Sequence, residues 1–168
     1  LINTIPIKLE LNLEQYDALV FTSKNGVRHL DSMTHKWKNI PTYAISTQTA
    51  KEIKKLGGKL AFVGEKKHGD EFALELVDEF KNKKKIAYIG AKETVSNIDK
   101  ILTQHNLVCD HIPVYETICV EYEQKIDLPE NSIVIFSSPS TVKCFFENVN
   151  WSDTYTAISI GKKKKRYF

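Results

Sequence analysis

The chain has 168 residues, 42% of them hydrophobic, and its 24 basic and 21 acidic side chains leave a net charge of +3. That length allows one or two packed domains, and the near balance of charge excludes an extensive nucleic-acid surface. No apolar run approaches the roughly 18 residues of a membrane helix and no signal peptide opens the chain, so a soluble, cytoplasmic protein is expected.

The first segment, Leu1–Leu13, alternates through Ile5-Pro-Ile-Lys-Leu-Glu-Leu and reads as extended. Residues 17–22 form a strand that ends in Thr22-Ser23, and 24–34 a short helix with Val27 and Leu30 inward. Tyr43–Ile45 is the next strand, and Thr49–Leu56 a helix stopped by Gly57-Gly58. Lys59–Val63 is a strand ended by Gly64. Asp70 is placed to cap a helix whose Phe72, Leu76, Val77 and Phe80 share one stripe. Ile86–Ile89 is a strand closed by Gly90-Ala91, a helix runs from about 94 to 105 with Val95, Ile98, Ile101 and Leu102 inward, and Leu107–Ile112 is a fifth strand. Short strands alternating with helices imply right-handed crossovers and a parallel sheet.

Between Pro113 and Pro129 the pattern changes to a β-branched, alternating run, Val114–Val120, followed by the charged Glu121–Lys125. This is a linker carrying a strand, and it is expected to pair with the first segment. The fold class is therefore α/β, with two similar parallel-sheet lobes joined by extended linkers: 1–14 a linker, 15–113 the first α/β unit, 114–128 a linker, and 129–168 a second unit that stops after its second strand and is incomplete.

Similarity of the two units is written in the residues. Ala18-Leu-Val-Phe-Thr22-Ser23 and Ile133-Val-Ile-Phe-Ser137-Ser138 stand 115 apart, since 136 − 21 = 115. The same offset aligns Thr42–Ser46 with Ala157–Gly161. Each copy is a buried strand ending in hydroxyls and passing straight into a helix. Hydroxyls there cap the first turn, and the unpaired N–H groups beside them can meet an anion. In open α/β sheets, ligands gather at the carboxyl ends of the strands. Capping alone is the commoner use of one such turn; the matched pair favours a ligand role.

Cys109, Cys119 and Cys144 are odd in number and widely spaced, which argues against both a disulfide framework and a zinc site. Reduced thiols are expected, with Cys144 in the core. Five scattered histidines suggest no metal, and no nucleotide fingerprint is present. The run Lys162–Arg166 reads as a solvated chain end.

Asp17-x-Leu-Val-Phe-Thr-Ser-x-x-x-Val27, Tyr43-Ala-Ile-Ser-x-x-Thr49-Ala50, Val114-Tyr115-Glu-Thr117, Phe136-Ser-Ser-Pro-Ser140 and Ile158-Ser-Ile-Gly161 occur in one order along the chain. As an ordered set they resemble the uroporphyrinogen-III synthase family, from about residue 16 to 161. Gly161-Lys-Lys-Lys164 departs from the family's usual Gly-x-Thr-Thr turn, and Ser46 stands where a glycine is common. The resemblance implies a bilobed protein with one domain inserted into another built from both chain ends. It implies a cofactor-free, metal-free cyclising dehydratase: hydroxymethylbilane loses water and closes to uroporphyrinogen III with inversion of ring D, through an azafulvene and a spirocyclic intermediate. Expected substrate-binding residues are Thr22, Ser23, Lys24, Ser46, Thr49, Gly90, Ala91, Ser137, Ser138 and Gly161, facing a cleft between lobes. Tyr115 is the candidate catalytic donor, because a tyrosine stays protonated at neutral pH and can hydrogen-bond a departing hydroxyl. The expected partner is the linear tetrapyrrole alone, with no nucleic acid or membrane, and the protein is expected to be a monomer. A non-catalytic bilobed protein that binds a polyanionic small molecule is the alternative reading.

Overall fold

Strand β2 (Ala18–Phe21) has four side chains with no solvent exposure, so it has a covered face on both sides. Such a strand must be apolar throughout rather than alternating. The structure, a computed structural model, describes residues 1–66, 68–82 and 85–160. On one side β2 pairs in parallel with β3 (Thr42–Ala44), which pairs with β4 (Leu60–Val63). On the other it pairs with β5 (Lys85–Ala91), which pairs with β6 (Val108–Cys119). All four pairings are parallel. Strand β1 (Ile2–Pro6) completes a six-stranded sheet of order β1-β6-β5-β2-β3-β4. Ile7 N–H donates to Val114 O at 3.1 Å and Val120 N–H to Leu1 O at 2.9 Å, so β1 and β6 run in opposite directions. The chain divides into two compact units, Pro6–Glu116 and a second made of Leu1–Ile5 with residues from Thr117 onward.

In the larger unit the period-two alternation of each strand sorts side chains to two cores. Leu19 and Phe21 join Val27 and Leu30 of α1 (Lys24–Met33), Ile53 of α2 (Thr47–Lys55) and the buried Trp37. Ala18 and Val20 join Phe72, Ala73 and Leu76 of α3 (Gly69–Glu79) with Ile98 and Leu102 of α4 (Ile98–Gln104). Helices thus cover both faces of the sheet, as parallel strands require. Helix α2 ends where the sequence places its stop. Gly57 takes φ +82°, while Gly57 and Gly58 N–H donate to Lys54 O and Ile53 O, which satisfies the last carbonyls.

The smaller unit repeats the first crossover. Its strand β7 (Ile133–Phe136), helix α5 (Pro139–Asn148) and strand β8 (Thr156–Ser159) give a parallel pair, but β7 is not the buried strand expected: Val134 and Phe136 pack with α5 while Ile133 and Ile135, on the other face, are exposed. Adding 115 to the bounds of β2 and α1 returns those of β7 and α5 without a slip. The pairing register follows: Leu19 faces Thr42, and Val134 faces Ala157.

Four further expectations are corrected. Helix α4 begins at Ile98 rather than near 94, and Val95 is 62% exposed instead of inward. Asp70 does not cap α3; it lies in the first turn, behind His68, and its carboxylate accepts from Asn97 N–H at 2.8 Å. The fifth strand and the linker strand are one continuous β6, because edge pairing by β1 satisfies the backbone where β5 ends. Cys119 and Cys144 form a disulfide instead of free thiols. Among the described residues only Cys109 is a free cysteine, partly buried, with its thiol pushed up to about 12 by burial. The Lys162–Arg166 run lies outside the described residues.

Helices α1 and α2 are also tied by charge. Arg28 Nε and Nη2 donate to the two carboxylate oxygens of Glu52 at 2.9 and 3.1 Å. Glu52 is buried, and the guanidinium holds its carboxyl below the ordinary value of 4.5. A depressed folded-state value means stability that is present above 4.5 and lost as pH falls through the folded value. Glu52→Gln should therefore flatten the acid limb of a melting-temperature profile below about pH 4.5. Parallel acid limbs in the two proteins would remove this pair from the acid sensitivity.

Candidate functional site

The carboxyl ends of β2, β3 and β5 lie abreast, beside the middle of β6. Phe21 is level with Ala44 and Ile89, and Ala91 with Tyr115. Backbone continuing past these pairs brings Thr22-Ser23, Ile45-Ser46 and Gly90-Ala91 to one end of the sheet. A register shift between Gly90 and Ala91 moves the β6 partner from Pro113 to Tyr115, passing over Val114. Such a bulge re-aims a side chain. Here it leaves both Val114 and Tyr115 buried in the same core, where strict alternation would have put one of them on the opposite face.

Thr22 and Ser23 separate to the two faces of the sheet. Thr22 Oγ1 lies 3.2 Å from Tyr88 Oη, and Tyr88 Oη lies 3.2 Å from Thr94 Oγ1. Tyr88 belongs to the core under α3 and α4, and its ring stacks on His111 at 4.9 Å. Ser23 turns to the α1–α2 face, where its Oγ lies 3.1 Å from Tyr115 Oη and accepts from Gly26 N–H at 3.1 Å. His29, one turn into α1, stacks on the Tyr115 ring at 5.1 Å with 18° between planes. Burial raises the Tyr115 hydroxyl above its ordinary 10.0, against an opposing pull from Ser23. Burial also lowers the His29 imidazole. Both shifts favour uncharged rings at neutral pH: a phenol that keeps its proton, beneath a neutral imidazole.

Ser46 caps α2 as Ser23 caps α1, accepting from Thr49 N–H at 3.3 Å; the buried Thr49 turns its own hydroxyl to Ser46 Oγ at 3.2 Å. Lys24 opens α1 exposed, and its charge contributes to the depression of Glu52. Gly90 is buried where a Cβ would stand 3.2 Å from the Tyr88 hydroxyl and ring, so a side chain there would crowd the phenol that Thr22 meets. Thr22, Ser23, Lys24, Ser46, Thr49, Gly90, Ala91 and Tyr115 are all in the larger unit. Ser137 and Ser138 are in the smaller one. There Ser138 caps α5, accepting from Thr141 N–H at 3.2 Å, while Thr141 Oγ1 accepts from Ser138 N–H at 3.1 Å. Gly161 lies outside the described residues.

Tyr115 sits within β6, which continues to Cys119, and its hydroxyl meets Ser23. Tyr88, Thr94 and His29 are members of the network that sequence reasoning missed. The signal for Tyr88 was its place two residues before Gly90, on the face opposite Ile89. His29 carried none, since a helical histidine two positions past Val27 looks like any half-exposed polar residue. The arrangement brings the phenols of Tyr88 and Tyr115 and the hydroxyls of Thr22, Ser23 and Thr94 together, beside helix N-termini that favour negative charge by roughly 0.3–1 kcal/mol each.

A family model for uroporphyrinogen-III synthase HemD matches residues 1–168. The crystal structure of uroporphyrinogen-III synthetase from Helicobacter pylori 26695 is 32% identical, with a TM-score of 0.82 over 99% of this chain and 78% of that one. A mutant uroporphyrinogen III synthase from Thermus thermophilus shares the fold, with a TM-score of 0.57 at 12% identity over 99% of this chain and 75% of that one. The porphyrin biosynthesis protein HemD of Ruminiclostridium josui is 26% identical in an alignment 166 positions long that covers 90% of this chain. The chain spans 33% of the length of that curated relative. Among the described residues, no helix is long and apolar enough to cross a membrane.

Ser23 has two structural tasks, and Tyr88 joins two threonines. Ser23→Ala should cost about 1 kcal/mol of unfolding free energy, the usual worth of a cap. Tyr88→Phe, which keeps the ring and removes the bridging hydroxyl, should cost about 0.5–1.5 kcal/mol. Urea denaturation checks both, and midpoints unchanged from the parent would show that these hydroxyls bond water as readily as each other.

Proposed function

The chain belongs to the uroporphyrinogen-III synthase family, and from that premise we propose that it closes hydroxymethylbilane to uroporphyrinogen III with inversion of ring D. The observation that carries the reading is the 3.1 Å contact between Ser23 Oγ, just past the carboxyl end of β2, and the buried Tyr115 hydroxyl of β6, with β5 between the two strands. The substrate is a flexible, carboxylate-rich chain of four pyrroles. Helix N-termini and capping hydroxyls suit its carboxylates, because they supply N–H and O–H donors without a buried cation. Thr22, Ser23, Lys24, Ser46 and Ala91 form the substrate-facing rim of the larger unit, with Thr49 and Gly90 buried behind it. Ser137 and Ser138 belong to a matching rim on the second lobe of a bilobed protein.

Tyr115 donates to the departing hydroxyl. The pyrrole nitrogen pushes electrons into the ring, the C–O bond breaks, and the hydroxyl leaves as water with a proton delivered through the phenol. The raised Tyr115 value keeps that proton in place at neutral pH. Ser23 orients the phenol and the neutral His29 ring holds its plane. Folding of the bilane so that ring D meets its partner carbon is the larger demand. Positioning of this kind supplies up to roughly 7–11 kcal/mol in ideal cases.

The test supplies enzymatically generated hydroxymethylbilane and resolves the product isomers. The type III isomer is expected, whereas exclusive formation of the non-inverted type I product, which arises spontaneously, sinks the enzyme reading and favours simple binding. In the same assay Tyr115→Phe should lower turnover by roughly 100-fold, the modest end of general-acid effects, because water can substitute in part. Full turnover in a folded Phe variant would reduce Tyr115 to packing.

A further inference from the structure

We infer that Cys119, Cys144 and Glu147 form a binding site for one soft divalent cation of the zinc class when the two cysteines are reduced. Cys144 and Glu147 stand three apart on α5, hence on one face of that helix. Cys119 is the last residue of β6. The two sulfurs and a Glu147 carboxylate oxygen all lie within 4.8 Å of one another. Ligands around a tetrahedral zinc, at about 2.3 Å for sulfur and 2.0–2.2 Å for oxygen, are themselves roughly 3.5–3.8 Å apart. The three donors are therefore already at the scale of a metal site, and small side-chain rotations suffice to seat an ion.

Burial is graded in the way such a site needs. Cys144 is 2% exposed, Cys119 is half-buried and Glu147 is exposed, so the sulfurs are sheltered and the carboxylate stands at the mouth. That mouth is the entry path and leaves a fourth position for water. Lys143 Nζ, 3.9 Å from the Glu147 carboxylate, offsets part of the negative charge of two thiolates and a carboxylate. All three ligands belong to the smaller unit.

The same sulfurs form the disulfide, so bond and ion exclude each other. A thiol or phosphine reductant gives the S–S bond two electrons, and with two protons it becomes two thiols. Cation binding then releases both protons, since thiolate is the ligand form. Oxidation by a disulfide reagent reverses the sequence and expels the ion. In either state the end of β6 is tied to α5.

Co²⁺ added to the reduced full chain is the direct probe, read by the near-ultraviolet thiolate-to-cobalt charge-transfer band. One equivalent per chain is expected, displaced by Zn²⁺, absent from the oxidised chain and from Cys119→Ser, and retained in Cys109→Ala. Glu147→Gln, an exposed change that leaves folding intact, should weaken Co²⁺ binding by about tenfold, on the scale of losing a supporting interaction at a metal centre. A folded, reduced chain without the band overturns the proposal. So does a band undiminished in Cys119→Ser, or an affinity unchanged in Glu147→Gln.

Discussion

The rest of the structure depends on the burial of β2 on both faces. Four consecutive side chains with no exposure demand helices above and below, and strands on either side to use the backbone donors and acceptors. A parallel neighbour can be reached only by a crossover, so the strand must end in a turn that starts a helix. The opening N–H groups of that helix have no partner within it. Ser23 resolves this at β2, Ser46 at β3 and Ser138 at β7, each with extended backbone and each accepting from the amide three residues on. The hydroxyl rim is a consequence of the sheet before it is a device for binding.

That origin explains why structural and functional readings of the same residues are hard to separate by residue type. Ser23 is both the cap of α1 and the partner of Tyr115. Thr22, its neighbour, caps nothing and reaches the opposite face to meet Tyr88. Adjacent residues at the end of one strand thus address two different cores, and a ligand over this edge would meet donors from both. The bulge at Gly90–Ala91 extends the pattern to β6 by turning Tyr115 toward the same end. The repeat in the smaller unit keeps the strand, the cap and the pairing register, and adds a reciprocal bond from Thr141 to the cap.

Much of this was determined by the sequence alone. The repeat at offset 115 predicted equal strands and helices in both units, because apolar strand, cap and helix are encoded within a dozen consecutive residues and depend little on distant partners, whereas burial does depend on them and is complete in β2 but not in β7. The Gly57-Gly58 stop was equally local, resting on the positive φ of Gly57. Tertiary structure decided what local signals could not hold. Val95 fits a helical stripe on paper, yet the chain holds it outside α4, where Asp70 anchors the Asn97 amide from another helix. Val114 through Cys119 read as a linker, but β1 and β5 on either side make it one strand with the preceding segment. Cys119 and Cys144 are 25 residues apart with no motif between them, and only the packing of α5 against the end of β6 brings their Cα atoms to 5.0 Å. The Tyr115 network follows the same rule: its members are 66 and 92 residues from the hydroxyls they meet, and such contacts arise from sheet order, which no local pattern records.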